Sequence, residues 1–380
     1  MKTNHSSIPI FSLFSGIGGF DLGAKIAGFN ICAAIDIDEN ALRLYSSAIG
    51  SKTIQGRIED INPKKVILNL GIRNNLGTIL IGGPPCTGFS HAGFWIEKKR
   101  NGKDHQINRI SDFLEYVKEL RPIAFVIENV PGLLFQNYKS IFEKIINVSK
   151  DTGYTISYKI LNAAHYGIPQ SRRRVFFVGI RGNHKFIFPK PTFSPERPRT
   201  TRWAIANIPI KNNPPESDEN LQGKYSHLLP LIPLGDNYLY FTAQRGFPKP
   251  LFEWRTRYWS FLLKLHPDKP SPTIPAQRIS NNGPFHWDNR RLRIREISRL
   301  QGFPDNYSIG TLPKSRVYLG NAVPPLLSAQ LLWELRVQIG DAKQSEVPNA
   351  LVKSLSYDIS ADKLSDIIGN FVVTDDGSRS

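Results

Sequence analysis

Only two cysteines, Cys32 and Cys86, occur in the 380 residues, and so few exclude a disulfide framework. No long apolar run interrupts the sequence, which argues against a membrane-spanning helix. Residues 1–7 are polar and lack the apolar stretch of a secretory leader, so a soluble protein of the reducing cytoplasm is expected, with no membrane partner and no metal site. There is no internal repeat or low-complexity tract. Acidic residues are the scarce charge: 32 Asp and Glu stand against 49 Lys and Arg, a formal net charge of +17. That balance favours polyanionic partners, although merely basic proteins share it.

The charge is concentrated. Residues 241–300 hold twelve Lys or Arg and four Asp or Glu, a surplus of 12 − 4 = +8, which is nearly half of the total. Aromatic side chains alternate with the cations there, as in Trp254-Arg255-Thr256-Arg257-Tyr258-Trp259, and Arg199, Arg202 and Trp203 flank the window. Guanidinium groups bind phosphates and base edges, and aromatic rings stack on bases or wedge a duplex. A solvated face above an aromatic core would have the same composition.

Short β-favouring runs at 10–13, 31–35, 78–81, 123–127 and 175–180 alternate with helical stretches at 40–48, 111–120 and 138–149. The alternation predicts an α/β fold with a parallel sheet and crossover helices. Prolines then become frequent and periodicity is lost. We therefore expect a large domain over 8–184, an irregular second domain over 185–289, a return segment over 290–340, and a helix and tail over 341–380.

Several peptides carry candidate chemistry. The first strand ends in Phe14-Ser15-Gly16-Ile17-Gly18-Gly19, a glycine turn that lets the backbone approach a nucleoside-containing cofactor beside a helix N-terminus. Asp36 ends the second strand, about 20 residues on, where a carboxylate can accept from ribose hydroxyls; an ordinary tight turn and a capping Asp are the plainer reading. Gly82-Gly83-Pro84-Pro85-Cys86 follows the third run. Its prolines end the strand and its glycines permit close approach, so Cys86 reads as a nucleophile rather than a buried small residue. Glu128 ends the apolar fourth run, where desolvation should raise its pKa and keep it protonated, unless it caps a helix or forms an ion pair. In Gln170-Ser171-Arg172-Arg173-Arg174, strand geometry would put Arg172 and Arg174 on one face. Cys32, in the second strand, is expected in the core.

Taken in order, these peptides together with Arg299-Leu300-Gln301-Gly302-Phe303-Pro304 and Gly320-Asn321-Ala322-Val323-Pro324-Pro325 resemble the DNA (cytosine-5)-methyltransferase family. The resemblance runs from residue 10 to about 335. It implies a Rossmann-like S-adenosylmethionine-dependent domain with a smaller target-recognition domain. It further implies Cys86 as nucleophile on carbon 6 of a flipped-out cytosine, Glu128 at N3 and the exocyclic amine, and Arg174, with Arg172, on the O2 side. Phe14, Gly16, Gly18, Gly19, Asp36, Asn321 and Val323 would line the cofactor site. Arg57 stands where the family often has an adenine-contacting Asp, for which Asp60 can substitute. Thr87 replaces a frequent Gln, and Arg293 a small hydroxylated residue. The implied substrate is a short double-stranded DNA sequence, the implied biological partner a cognate restriction endonuclease, and the implied state a monomer. An RNA cytosine-5 methyltransferase and a non-catalytic DNA-binding paralogue are the rival readings.

Overall fold

The computed structural model describes residues 8–69, 71, 77–85, 108–277, 279–307, 309–310 and 314–356. Cys86, Thr87 and the tail beyond residue 356 lie outside the described residues. The chain divides into two compact units: residues 1–162, 173–192 and 323–380 form the first, and 163–172 with 193–322 form the second. The second unit is thus larger than the expected insert and contains most of the expected return segment.

The first unit is built on a seven-stranded sheet. Its strands are β1 (Pro9–Leu13), β2 (Asn30–Asp36), β3 (Thr53–Gln55), β4 (Ile79–Gly82), β5 (Ala124–Asn129), β6 (Tyr154–Asn162) and β8 (Arg173–Arg181), in the order β3-β2-β1-β4-β5-β8-β6. β7 (Gln170–Ser171) belongs to the second unit, where it pairs in parallel with β9 (Ser271–Pro272). Strands β1 to β5 are parallel. Ile79, Leu80 and Ile81 are wholly buried, as a central strand covered on both faces requires. The run at 175–180 departs from the all-parallel expectation, because β8 is antiparallel to both β5 and β6. It returns from β6 as the second arm of a hairpin, with residues 163–172 looped out between the arms. An apolar run specifies a strand but not its direction.

Helices α1 (Gly19–Ile26), α2 (Glu39–Ile49), α3 (Pro63–Asn69), α4 (Asn108–Leu120) and α5 (Lys139–Asp151) fall in or between the strand connections. α2 has local start and stop signals: Asp38 accepts from the amides of Asn40 and Ala41, and Gly50 closes it at φ 73°. Further on come α6 (Thr201–Ile205), α7 (Ile294–Leu300), α8 (Ser315–Asn321), α9 (Pro325–Gln338) and α10 (Asn349–Ser356). α9 packs on α1 through Gly23, where a Cβ would stand 2.0 Å from Ser328 Oγ and 2.6 Å from the Pro325 carbonyl. Among the described residues no helix is long and apolar enough to cross a membrane.

Asp21 lies buried inside α1 and accepts from Ser12 Oγ and Tyr45 Oη, both at 3.0 Å. Burial pushes its carboxyl up to about 6 against the pull of those hydroxyls. Between the unfolded value of about 4 and that figure, the folded chain holds a proton that the unfolded chain has lost. Stability is therefore expected to fall as pH rises through this window, by about 3 kcal/mol. Asp21→Asn should flatten that slope in thermal unfolding from pH 4 to 8; an unchanged slope contradicts the assignment.

Candidate active site

The glycine turn is assembled at the carboxyl ends of β1 and β2. Phe14 takes φ 55°, Gly16 φ 53° and Gly18 φ 87°. Each glycine has its own reason. At Gly18 a Cβ would meet the Tyr45 ring at 2.8 Å, so this glycine admits α2, whereas at Gly16 nothing lies within 4 Å and the backbone faces open space. Gly19 is the first residue of α1, and Phe14 packs against the sheet core.

Asp36 joins this turn directly. Its Oδ2 accepts from the Gly16 amide at 2.7 Å and its Oδ1 from the Asp38 amide at 2.9 Å. Burial pushes its carboxyl above the usual range, and those amides pull it back. Beside it Ile37 is 60% exposed, an aliphatic surface at the strand end; an apolar residue directly after the strand-ending Asp is its signal in the sequence. Ser15 Oγ is buried without a hydrogen-bond partner among the described residues. An open glycine backbone, a carboxylate, an exposed aliphatic side chain and an unused hydroxyl fit a nucleoside-containing cofactor. Asp60 is exposed in the turn after β3, 3.9 Å from Arg57 Nε.

A second cluster forms where β4 and β5 end side by side. Glu128 is 7% exposed, and its Oε1 pairs with Arg174 Nε at 2.9 Å. The Asn129 amide donates to the Pro84 carbonyl at 3.2 Å, while its oxygen accepts from the Val130 amide at 2.8 Å. Gly83 lies against the carboxylate: a Cβ there would stand 3.2 Å from Glu128 Oε2 and 3.9 Å from Val323. Glu128, Arg174, Val323 and residues 83–85, which lead into Cys86, are thereby brought together in the first unit. Desolvation at Glu128 had an ion pair as its alternative, and the Arg174 guanidinium supplies that pair.

Arg172 does not extend β8 beside Arg174. It falls between β7 and β8 in the second unit, is 1% exposed, and donates to the carbonyls of Gly320 at 2.7 Å and Ala322 at 3.3 Å. These bonds fix the peptide on either side of Asn321, which is exposed at the end of α8. Charged hydrogen bonds of this kind contribute more than neutral ones. Arg172→Met should lower stability by about 3 kcal/mol, read as a fall in denaturant midpoint; an unchanged midpoint would show that the guanidinium holds nothing.

Other residues also settle. Cys32 Sγ donates to the Ile10 carbonyl at 3.0 Å, and burial pushes its thiol up to about 12. Arg293, the departure before Arg295-Glu296, caps α7 through its amide to Glu296 Oε2 at 2.8 Å, while its guanidinium reaches Glu219 at 2.7 Å. The missing hydroxyl is thus replaced by an ion pair.

The sequence model of the family described as C-5 cytosine-specific DNA methylase matches residues 8–336. The Type II methyltransferase M.SacI of Streptomyces achromogenes is 36% identical to the chain over 384 residues, covering 91% of this chain and 97% of its own length. For the Type II methyltransferase M.MthTI of Methanothermobacter thermautotrophicus the identity is 32% over 346 residues, with 87% and 97% covered. A crystal structure of a putative DNA modification methyltransferase encoded within an E. coli prophage has a TM-score of 0.65 at 24% identity, covering 88% of this chain and 99% of its own.

Proposed function

Because the chain belongs to the C-5 cytosine-specific DNA methylase family, we propose that Cys86, Glu128 and Arg174 are the groups with which it methylates carbon 5 of cytosine in DNA. The observation that carries this reading is the joining of two strand ends. Asn129 holds the segment leading into Cys86, and Glu128 lies against the same segment with Arg174 as its partner.

Carbon 5 of cytosine is a weak nucleophile. Addition of the Cys86 thiolate to carbon 6 turns the ring into an enamine that can attack a methyl group. Glu128 binds N3 and the exocyclic amine and supplies the proton that offsets charge built up during addition. Arg174, already beside Glu128, holds the O2 side and stabilises the adduct. Arg172 acts at one remove, steadying the Asn321 peptide. S-adenosylmethionine supplies the methyl group when bound. Phe14, Gly16, Gly18 and Gly19 would hold it by their backbone, Asp36 by the ribose hydroxyls and Ile37 by an apolar face, with Asp60 and Val323 completing the contacts. Loss of the carbon 5 proton and elimination of the thiol restore the enzyme.

These ring atoms are inaccessible in stacked DNA, so the target base must be swung out of the duplex. We assign the reading of sequence to the second unit, on the strength of its charge and exposed aromatics. The relatives' designation as Type II methyltransferases supports a restriction-modification role, and we propose a cytoplasmic monomer that shields its own DNA from a cognate endonuclease. The test is transfer of a labelled methyl group from S-adenosylmethionine to duplex DNA with RNA as competitor. Label recovered as 5-methylcytosine in DNA, undiminished by RNA, is expected. Preferential labelling of RNA, or binding of DNA without transfer, would overturn the reading.

A further inference from the structure

The basic, aromatic window resolves into two populations. Tyr238, Phe241, Phe252 and Phe261 pack edge to face or tilted around Leu228 and Leu262 and form a core cluster of the second unit. The segment between the last two phenylalanines turns outward: Trp254 is 37% exposed, Tyr258 42% and Trp259 60%. An outward Trp forgoes a large burial gain, and three together on one loop form an apolar surface of the kind that marks an interaction site.

The loop is nevertheless fixed at its base. Phe252 and Phe261 anchor its ends in the core. The buried Tyr238 hydroxyl donates to the Arg257 carbonyl at 3.0 Å and accepts from the Arg257 amide at 3.1 Å. The Asn237 amide donates to the Trp259 carbonyl at 2.7 Å. Arg255 is held at φ 57°, a conformation unfavourable for a residue with a Cβ, and its guanidinium lies 5.6 Å from the Trp254 ring. Four other arginines of the second unit pair with carboxylates, Arg245 with Asp236, Arg290 with Glu296, Arg293 with Glu219 and Arg299 with Asp305. Among the described residues Arg255 and Arg257 have no carboxylate partner.

We propose that the loop formed by residues 253–259 is the element of the second unit that enters duplex DNA, with Tyr258 and Trp259 stacking against bases and Arg255 and Arg257 on the flanking phosphates. The charge selects the occupant. A protein partner would be served by the aromatics alone, whereas unpaired guanidinium groups beside rings suit a polyanion with stacked bases. Preorganisation of the loop backbone reduces the ordering cost of binding.

This proposal rests on the reading that the chain methylates DNA, and the experiment separates the two. Full-length protein is compared with Trp259→Ala, Trp259→Phe and Arg255→Gln for duplex affinity, methyl transfer, S-adenosylmethionine binding and melting temperature. Trp259→Ala should weaken duplex binding about tenfold or more, Trp259→Phe should restore most of it, and cofactor binding should not change. Arg255→Gln should weaken binding and reduce its salt dependence. If Trp259→Ala fails to fold, the Trp254→Phe/Trp259→Phe variant serves instead; it should remove most of the duplex-dependent change in tryptophan fluorescence. Wild-type transfer to DNA with unaltered binding by the variants, or unaltered fluorescence change in the Phe variant, overturns the loop assignment alone. A variant that changes only self-association also overturns it. No transfer by the wild-type protein overturns the underlying reading.

Discussion

Cys86→Ala is expected to abolish methyl transfer, to below about one-thousandth of the wild-type rate, while leaving DNA affinity within a few-fold of wild type. The two effects separate because phosphate and base contacts are assigned to the second unit, whereas the covalent step needs a thiolate. Cys32 cannot stand in for it. Its thiol donates to the Ile10 carbonyl and is pushed up to about 12 by burial, so at neutral pH almost none of it is thiolate. A duplex carrying a cytosine analogue that traps the carbon 6 adduct should give a denaturant-stable complex with the wild-type protein and none with Cys86→Ala. A trapped complex in the variant would show that another residue is the nucleophile.

Glu128→Gln is expected to lower kcat by about 10²–10⁴-fold, the range of a general acid, with a smaller change in KM. Glutamine keeps the shape and one donor, so the loss reports the proton rather than the packing. The ion pair with Arg174 at 2.9 Å gives a second readout. Arg174→Gln removes the partner and the O2 contact together, and the double variant should be less impaired than the product of the two single losses, since the residues act as a unit. Full additivity would mean that Glu128 and Arg174 act independently.

Much of this arrangement is legible in the amino-acid sequence, and what is illegible has physical causes. The runs at 10–13, 31–35, 78–81 and 123–127 coincide with β1, β2, β4 and β5, because strands buried on both faces must be nearly continuously apolar. The edge strand β6 carries no such run, because Tyr154-Thr155-Ile156-Ser157-Tyr158-Lys159 mixes polar residues into a sheet edge. The glycine turn after β1 and Asp36 at the end of β2 are legible as strand-end features. The Gly16 amide bonded to Asp36 is not, since contacts across 20 residues leave no local pattern.

Arginines mislead most. Their spacing on a strand suggested that Arg172 and Arg174 would act together, yet a strand break between β7 and β8 sends Arg172 to the carbonyls flanking Asn321. The window at 241–300 could not be divided into core and surface from composition. The division depends on Phe252 and Phe261, which anchor a loop whose intervening aromatics are exposed.

Methylation of cytosine within one short DNA sequence by way of Cys86 is read out by bisulfite sequencing of a plasmid library from cells expressing the protein, beside cells expressing Cys86→Ala. Protected cytosines confined to a single sequence context, and absent from the variant, are the predicted result. Protection in neither sample, or equal protection in both, would contradict it.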